Sequence, residues 1–155
     1  MRTVRKTIAA LRGDNRGAAL IELALVAPLF ATMLIGMVDL GRGFSMKLQL
    51  EQAAQRSIEK VMNGQADKSS AAALKTEAAT VAGVSESSVV VDFWLECNNT
   101  RQSTYDTTCG AGQVFRRYLT VQITKTFTPM FALKFLGANS NGTFTVIGKT
   151  GVRTH

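Results

Sequence analysis

A single carboxylate interrupts the longest apolar stretch of the chain. Between Ala18 and Val38 the one strongly polar side chain is Glu22, with Thr32 as a mild exception. A carboxylate in hydrocarbon costs roughly 2.5–3.5 kcal/mol on insertion scales, so Glu22 requires either a partner cation or access to water. What stabilises the charge of Glu22 is therefore the first question that the sequence raises.

Two cysteines, Cys97 and Cys109, are also able to react, and they are separated by a short polar segment. In an oxidising compartment this spacing predicts one disulfide, worth on the order of 3 kcal/mol in the chain-entropy model. Two free buried thiols are the alternative. A metal site is not expected, because two cysteines and the terminal His155 are too few ligands and their spacing fits no recognisable metal motif.

Other catalytic chemistry has few residues to use. The single histidine is the last residue, which argues against Ser-His-Asp triads and histidine-based metal sites. The sequence contains no phosphate-binding glycine loop. We therefore expect no enzymatic activity, no cofactor and no small-molecule substrate.

Glu22 must be positioned by a helix. Residues 18–38 form a helix of roughly 32 Å at about 1.5 Å per residue, which matches a hydrocarbon core of about 30 Å. Pro28 and Gly36 would weaken a soluble helix but are tolerated in membrane spans. The sequence predicts a transmembrane helix over 18–38, with a buried core helix as the alternative.

Charge is concentrated before this span. Residues 1–17 hold five basic residues and one acidic residue, whereas the whole chain has a net charge of +7. By the positive-inside rule, this basic leader stays in the cytoplasm and the remainder is exported. The basic excess therefore does not indicate a nucleic-acid surface.

Residues 39–63 continue the span as an amphipathic helix. The exit into water is marked by Asp39, Arg42 and Lys47. Asn63-Gly64 is a helix stop, so one unbroken helix is predicted from about Ala18 to Met62. We expect its apolar stripe to pack on a sheet. The stripe comprises Leu50, Ala54, Ile58 and Val61.

Residues 64–155 change from helical to alternating periodicity. Ser69 or Ser70 can cap a second short helix that ends at Gly83. Three later segments alternate with period two, and one face of the first two carries Val91, Phe93, Leu119 and Val121. The predicted fold is α+β: a long helix, a short helix and a small antiparallel sheet of about three strands.

The segment "RGAALIE" resembles the class III signal of type IV prepilins, which prepilin peptidase cuts after glycine. The resemblance implies cleavage between Gly17 and Ala18. Gly17 has no side chain to obstruct a protease at the membrane face, and cleavage would leave a free amine on Ala18, one helical turn from Glu22.

The longer segment "RGAALIELALVAPLFATMLIGMVDLGRGF" is similar to the TadE-like family, minor pseudopilins of the tight-adherence (Flp) pilus. Asp39 replaces the usual glutamate, and Leu23 replaces the usual phenylalanine. The matching residues are Arg16, Gly17, Ala18, Ala19, Glu22, Ala24, Leu25, Val26, Ala27, Pro28, Leu29, Gly36, Leu40, Gly41 and Arg42.

This resemblance implies a pilin-like protein of a bacterial inner membrane, with residues 64–155 in the periplasm. Its implied partners are prepilin peptidase, other pilins and minor pseudopilins, the inner-membrane assembly platform and membrane lipid. Its implied function is to prime a Tad pilus or to enter it as a tip or structural subunit, in adhesion and secretion. The alternative is an unprocessed single-span protein whose periplasmic domain is an interaction module.

Glu22 then has three possible settings. It could pair with the Ala18 amine of its own helix or with that of a neighbouring subunit, where it would fix the axial register. It could also lie near the interface and reach water. Resemblance to pilins favours the pairing between subunits.

Overall fold

The computed structural model describes residues 16–62, 68–130 and 138–154. The leader up to residue 15, the predicted stop at Asn63-Gly64 and His155 lie outside these residues, as does the side chain of Val61. Short 3₁₀ turns occupy Lys68–Ser70 and Glu86–Ser88. The main elements are α1 (Arg16–Met62), α2 (Ala71–Ala82), β1 (Val89–Cys97), β2 (Thr100–Arg101), β3 (Phe115–Phe127) and β4 (Phe144–Arg153).

The expected unbroken helix is confirmed, because α1 runs through 47 residues with Pro28 inside it. The chain divides into two compact units after Leu40, within α1. The second unit, Gly41–His155, contains the C-terminal part of α1, helix α2 and the sheet. The predicted α+β class is confirmed.

Helix α2 ends as expected and begins differently. Gly83 adopts a left-handed conformation (φ 61°), and the backbone N–H of Val84 donates to the carbonyl of Ala79 at 3.0 Å. Ser70 occupies the N-cap position, but its hydroxyl makes no capping hydrogen bond. Its backbone is already helical because a 3₁₀ turn leads directly into α2.

The sheet has four antiparallel strands in the order β2-β1-β3-β4, one more than expected. The additional strand, β2, has two residues and pairs with the end of β1. Asn98 and Asn99 connect β1 to β2 with positive φ values of 48° and 66°, the conformation of a two-residue type I′ hairpin turn. The sequence signal for this hairpin was the Asn-Asn pair.

The core lies between the sheet and the two helices of the second unit. The alternation predicted for β1 and β3 is confirmed, since Val89 is paired with Ile123 and Phe93 with Leu119 on the face that contacts the helices. Helix α1 contributes Leu50, Ala54 and Ile58 of the predicted apolar stripe to this core. The fully packed residues are Leu50, Ala53, Ala54, Ile58, Leu74, Ala78, Ala79, Val89, Leu119, Val121 and Ile123.

One glycine sets how closely α1 approaches the sheet. Gly148 lies on the inner face of β4, and a Cβ built there would come within 2.7 Å of the backbone nitrogen of Glu51. It would also overlap Leu50, both at the side chain and at the backbone. Since a helix backbone cannot rotate away as a side chain does, this position accepts only glycine.

We expect Gly148→Ala to destabilise the second unit by about 1–3 kcal/mol, because α1 must move off the sheet. Denaturant unfolding of the full chain in detergent measures this loss. The matched control is Gly41→Ala, where nothing lies within 4 Å of the added Cβ. In the middle of a helix that substitution should stabilise by about 0.5–1 kcal/mol. Losses of equal size in both variants would contradict a tight contact at Gly148.

Candidate functional site

The proposed processing site lies in the first turns of α1. Gly17 and Ala18 are exposed, and a Cβ built on Gly17 meets nothing within 4 Å. Glu22 is exposed on the same helix, four residues after Ala18, so the two residues share one helical face. The structure therefore places the three residues singled out from the sequence along one accessible stretch of helix.

The apolar residues around Glu22 have no protein cover. Leu20 is 68% exposed and Leu25 is 75% exposed, and the most apolar window of the helix is not buried at all. Helix α1 is long and apolar enough to cross a membrane. A buried core helix, the alternative reading of this segment, is not what the structure has, because large side chains remain exposed along its full length.

A helix with Pro28 inside it leaves one backbone carbonyl without its usual N–H donor. One turn later, Thr32 donates its hydroxyl to the carbonyl oxygen of Leu29 at 2.8 Å, so this hydroxyl is paired within the helix. Glu22 is thus the remaining strongly polar side chain of the apolar stretch.

The helix that carries these residues is also the part of the chain with a recognised family. Residues 17–58 match the family model described as TadE-like protein. That segment of the chain is TadE-like. The match covers most of α1 and leaves the sheet outside it. No curated protein and no solved structure matched the chain in the same comparisons.

The family match agrees with the resemblance read from the sequence. It begins at Gly17 and includes Ala18 and Glu22, the residues expected to act in processing and assembly. It also covers the start of the stripe that packs on the sheet, through Ile58. The matched segment therefore includes both a candidate membrane span and the part of α1 that belongs to the second unit.

The predicted disulfide between Cys97 and Cys109 is present. It joins the end of β1 to the following loop, with the two Cα atoms 5.6 Å apart. Beside it, the backbone N–H of Asn98 donates to the carbonyl of Val114 at 2.9 Å, and the Val114 N–H donates to the Asn98 side chain at 3.0 Å. The bridge and these hydrogen bonds tie both ends of the loop to the sheet.

Aromatic contacts hold the middle of the same loop. The ring of Tyr105 meets the ring of Phe93 edge to face, with centroids 5.4 Å apart. The guanidinium carbon of Arg117 lies 5.3 Å from the centroid of Tyr105. Since Phe93 and Arg117 come from adjacent strands, the loop rests on the sheet rather than extending from it.

We expect Cys97→Ser with Cys109→Ser to lower the free energy of unfolding by about 3 kcal/mol through loss of the loop closure. Mass spectrometry after alkylation without reduction should find no modifiable thiol in the natively folded wild type. Two alkylated cysteines in the exported protein would contradict the bridge. The matched control is Ser103→Ala with Thr107→Ala inside the loop, which should leave stability within about 0.5 kcal/mol.

A second cluster lies on the outer face of the sheet, and sequence reasoning found only part of it. Trp94 stacks on Tyr118 with centroids 5.1 Å apart, and the Arg101 guanidinium lies 4.9 Å above the Trp94 ring. Arg101 also donates to both carboxylate oxygens of Asp92, at 3.0 and 3.2 Å. Arg101 was missed because β2, the short strand that carries it, was not predicted.

Within residues 16–62, 68–130 and 138–154, no three histidine, cysteine, aspartate or glutamate side chains come together in a way that could hold a metal ion. The two cysteines are consumed by the disulfide. The arrangement therefore offers a candidate membrane span that carries Glu22, and a sheet that is cross-linked to its loop.

Proposed function

We propose that this chain is a TadE-like protein and acts as a minor pseudopilin of a Tad pilus. Prepilin peptidase cuts it after Gly17, and the mature chain primes or enters the pilus as a tip or structural subunit. The observation that carries the proposal is the family match over residues 17–58, which begins at the glycine of the cleavage signal and contains Glu22. The function is not enzymatic.

Access to the cleaved bond supports processing. Gly17 and Ala18 are exposed, and the space that a side chain would occupy at Gly17 is open. A protease at the cytoplasmic membrane face can therefore approach the bond from the side on which a Cβ would stand. Cleavage removes a leader with a net charge of +4 and creates a new amine at Ala18.

Assembly then depends on what that amine pairs with. Both charges are costly near hydrocarbon unless they are neutralised, and Ala18 and Glu22 are one turn apart. Within one subunit the pair is geometrically allowed. Between subunits, the same pair would align one helix against the next and fix the axial register of an assembly.

The exported location of the sheet is supported by the Cys97–Cys109 disulfide, since such bonds persist outside the reducing cytoplasm. It is also supported by the basic leader, which favours a cytoplasmic N-terminus. The proposed partners are prepilin peptidase, other pilins and pseudopilins, and the inner-membrane assembly platform. The chain has no proposed nucleic-acid partner.

Glu22→Gln tests the assembly role. We expect the variant to insert and to be cleaved normally, because removing a charge favours lipid and the peptidase mainly requires Gly17. We expect pilus formation and co-purification with other pilins to fall sharply. The measurements are the mature N-terminus, the membrane level of the protein and the number of pili per cell.

The matched control is Glu51→Gln, the same chemical change on the same helix. Glu51 is half-exposed and lies 3.9 Å from Lys47 in a surface pair, which contributes little. Wild-type assembly by a processed Glu22→Gln protein would show that Glu22 does not set the register. A mature wild-type chain that still begins at Met1 would instead favour the unprocessed single-span protein with an interaction module.

A further inference from the structure

A groove of about 280 Å³ lies between α1, α2 and β3, on the second unit. Its floor is apolar and includes Met46, Leu50 and Ala53 of α1. Val81 and Ala82 from the end of α2 form one wall. Its polar lining consists of two cations and two amides: Arg56, Lys125, Gln49 and Gln52.

Lys125 lies on an unusual face of the sheet. It lies two residues after Ile123 and two residues before Phe127, and residues two apart on a strand share a face. Lys125 therefore occupies the face of β3 that contacts the helices. Its ammonium donates to the carbonyl oxygen of Ala82 at 3.2 Å, where the last carbonyls of α2 carry partial negative charge. An ammonium group has three N–H donors, and this hydrogen bond uses one of them. Its acceptor is a backbone carbonyl, so the positive charge of Lys125 is not neutralised by this contact.

Arg56 has no hydrogen bond or ion pair with any residue in the described part of the chain. The carboxylates near it are engaged elsewhere. Glu51 lies 3.9 Å from Lys47, Glu59 accepts a hydrogen bond from Gln55 at 3.1 Å, and Glu77 pairs with Lys60 at 2.7 Å. Among the described residues that line the groove, none carries a carboxylate.

From this charge pattern we infer that the groove binds an acidic segment of a partner protein. A carboxylate of the segment bonds the Arg56 guanidinium and faces Lys125, and an adjacent apolar side chain rests on Met46 and Val81. A planar guanidinium accepts a carboxylate with two parallel hydrogen bonds, a geometry that a lone ammonium does not provide. The inference goes beyond the proposed function and does not depend on cleavage at Gly17.

A protein segment fits the groove better than a free anion, because the lining of the groove is partly cationic and partly apolar. Val81 remains 41% exposed at the groove, and covering it together with Met46 contributes apolar burial that a small ion cannot supply. An exposed ion pair by itself contributes little. Gln49 and Gln52 at the polar side can bond the backbone of an extended segment.

The experiment uses the full chain in its native membranes, with a photo-crosslinking amino acid in place of Gln52. We expect an adduct with one partner protein, and mass spectrometry should place the crosslink within a few residues of Asp or Glu in that partner. In an Arg56→Gln background the adduct should fall at least tenfold, because the substitution removes both charge-assisted hydrogen bonds to the carboxylate.

Lys149→Gln is the matched control, because Lys149 is an exposed cation on the opposite face of the sheet. Its adduct should equal that of the wild type. An undiminished adduct in Arg56→Gln would overturn the inference, as would an adduct with lipid, an adduct with a second copy of this chain, or no adduct. Thermal unfolding that matches the wild type shows that Arg56→Gln acts at the groove and not on folding.

Discussion

Gly17→Leu should leave the chain uncut in the membrane, with its N-terminus still at Met1. In the wild type, the space beside Gly17 is open, and nothing lies within 4 Å of the position of a Cβ. A leucine side chain would fill that space, next to the bond that the peptidase must reach, and would obstruct the enzyme. Intact-mass measurement of the membrane-extracted protein distinguishes the two forms, because cleavage removes 17 residues.

Gly36→Leu is the matched control on the same helix. Gly36 also has nothing within 4 Å of a built Cβ, and it lies far from the cleaved bond. We expect this variant to be cleaved as completely as the wild type, since leucine suits a membrane-spanning helix. Full cleavage of Gly17→Leu would remove the steric basis of the proposed processing, whereas failure of both variants would point to faulty insertion.

Ile58→Ala should lower the free energy of unfolding of the second unit by about 2–5 kcal/mol, the usual cost of truncating a buried isoleucine. Ile58 is 5% exposed and belongs to the cluster that joins α1 to the sheet and to α2. The large cost is expected because rigid elements on three sides prevent the cavity from collapsing. Denaturant unfolding of the full chain in detergent, followed by Trp94 fluorescence, measures it.

Gln55→Ala is the control one turn away. Gln55 is exposed, and its amide donates to Glu59 at 3.1 Å on the helix surface. Its truncation should change stability by about 0.5 kcal/mol or less. Equal losses of unfolding free energy in the two variants would contradict a stabilising contact between the buried stripe and the sheet. They would mean that α1 does not stabilise the sheet.

The sequence determined the parts of the protein that depend on local pattern. Period-two alternation placed Val91, Leu119 and Val121 on one face of the sheet, because successive side chains of a strand point to opposite faces. Uninterrupted apolar residues and helical spacing predicted α1 to its last residue at Met62. The disulfide followed from compartment and spacing, since two cysteines allow only one intrachain pairing.

Tertiary structure alone decided the features that depend on two distant segments meeting. Nothing near Gly148 in the sequence reveals that the backbone of α1 passes over it at Leu50. Arg101 reaches Trp94 because a two-residue strand folds back on β1, and two residues are too few for a periodic signal. Lys125 could have been noticed as a cation at an inward position, but its neighbour across the groove, Arg56, comes from another element. Alternation assigns a side chain to a face, whereas only packing determines what lies opposite that face.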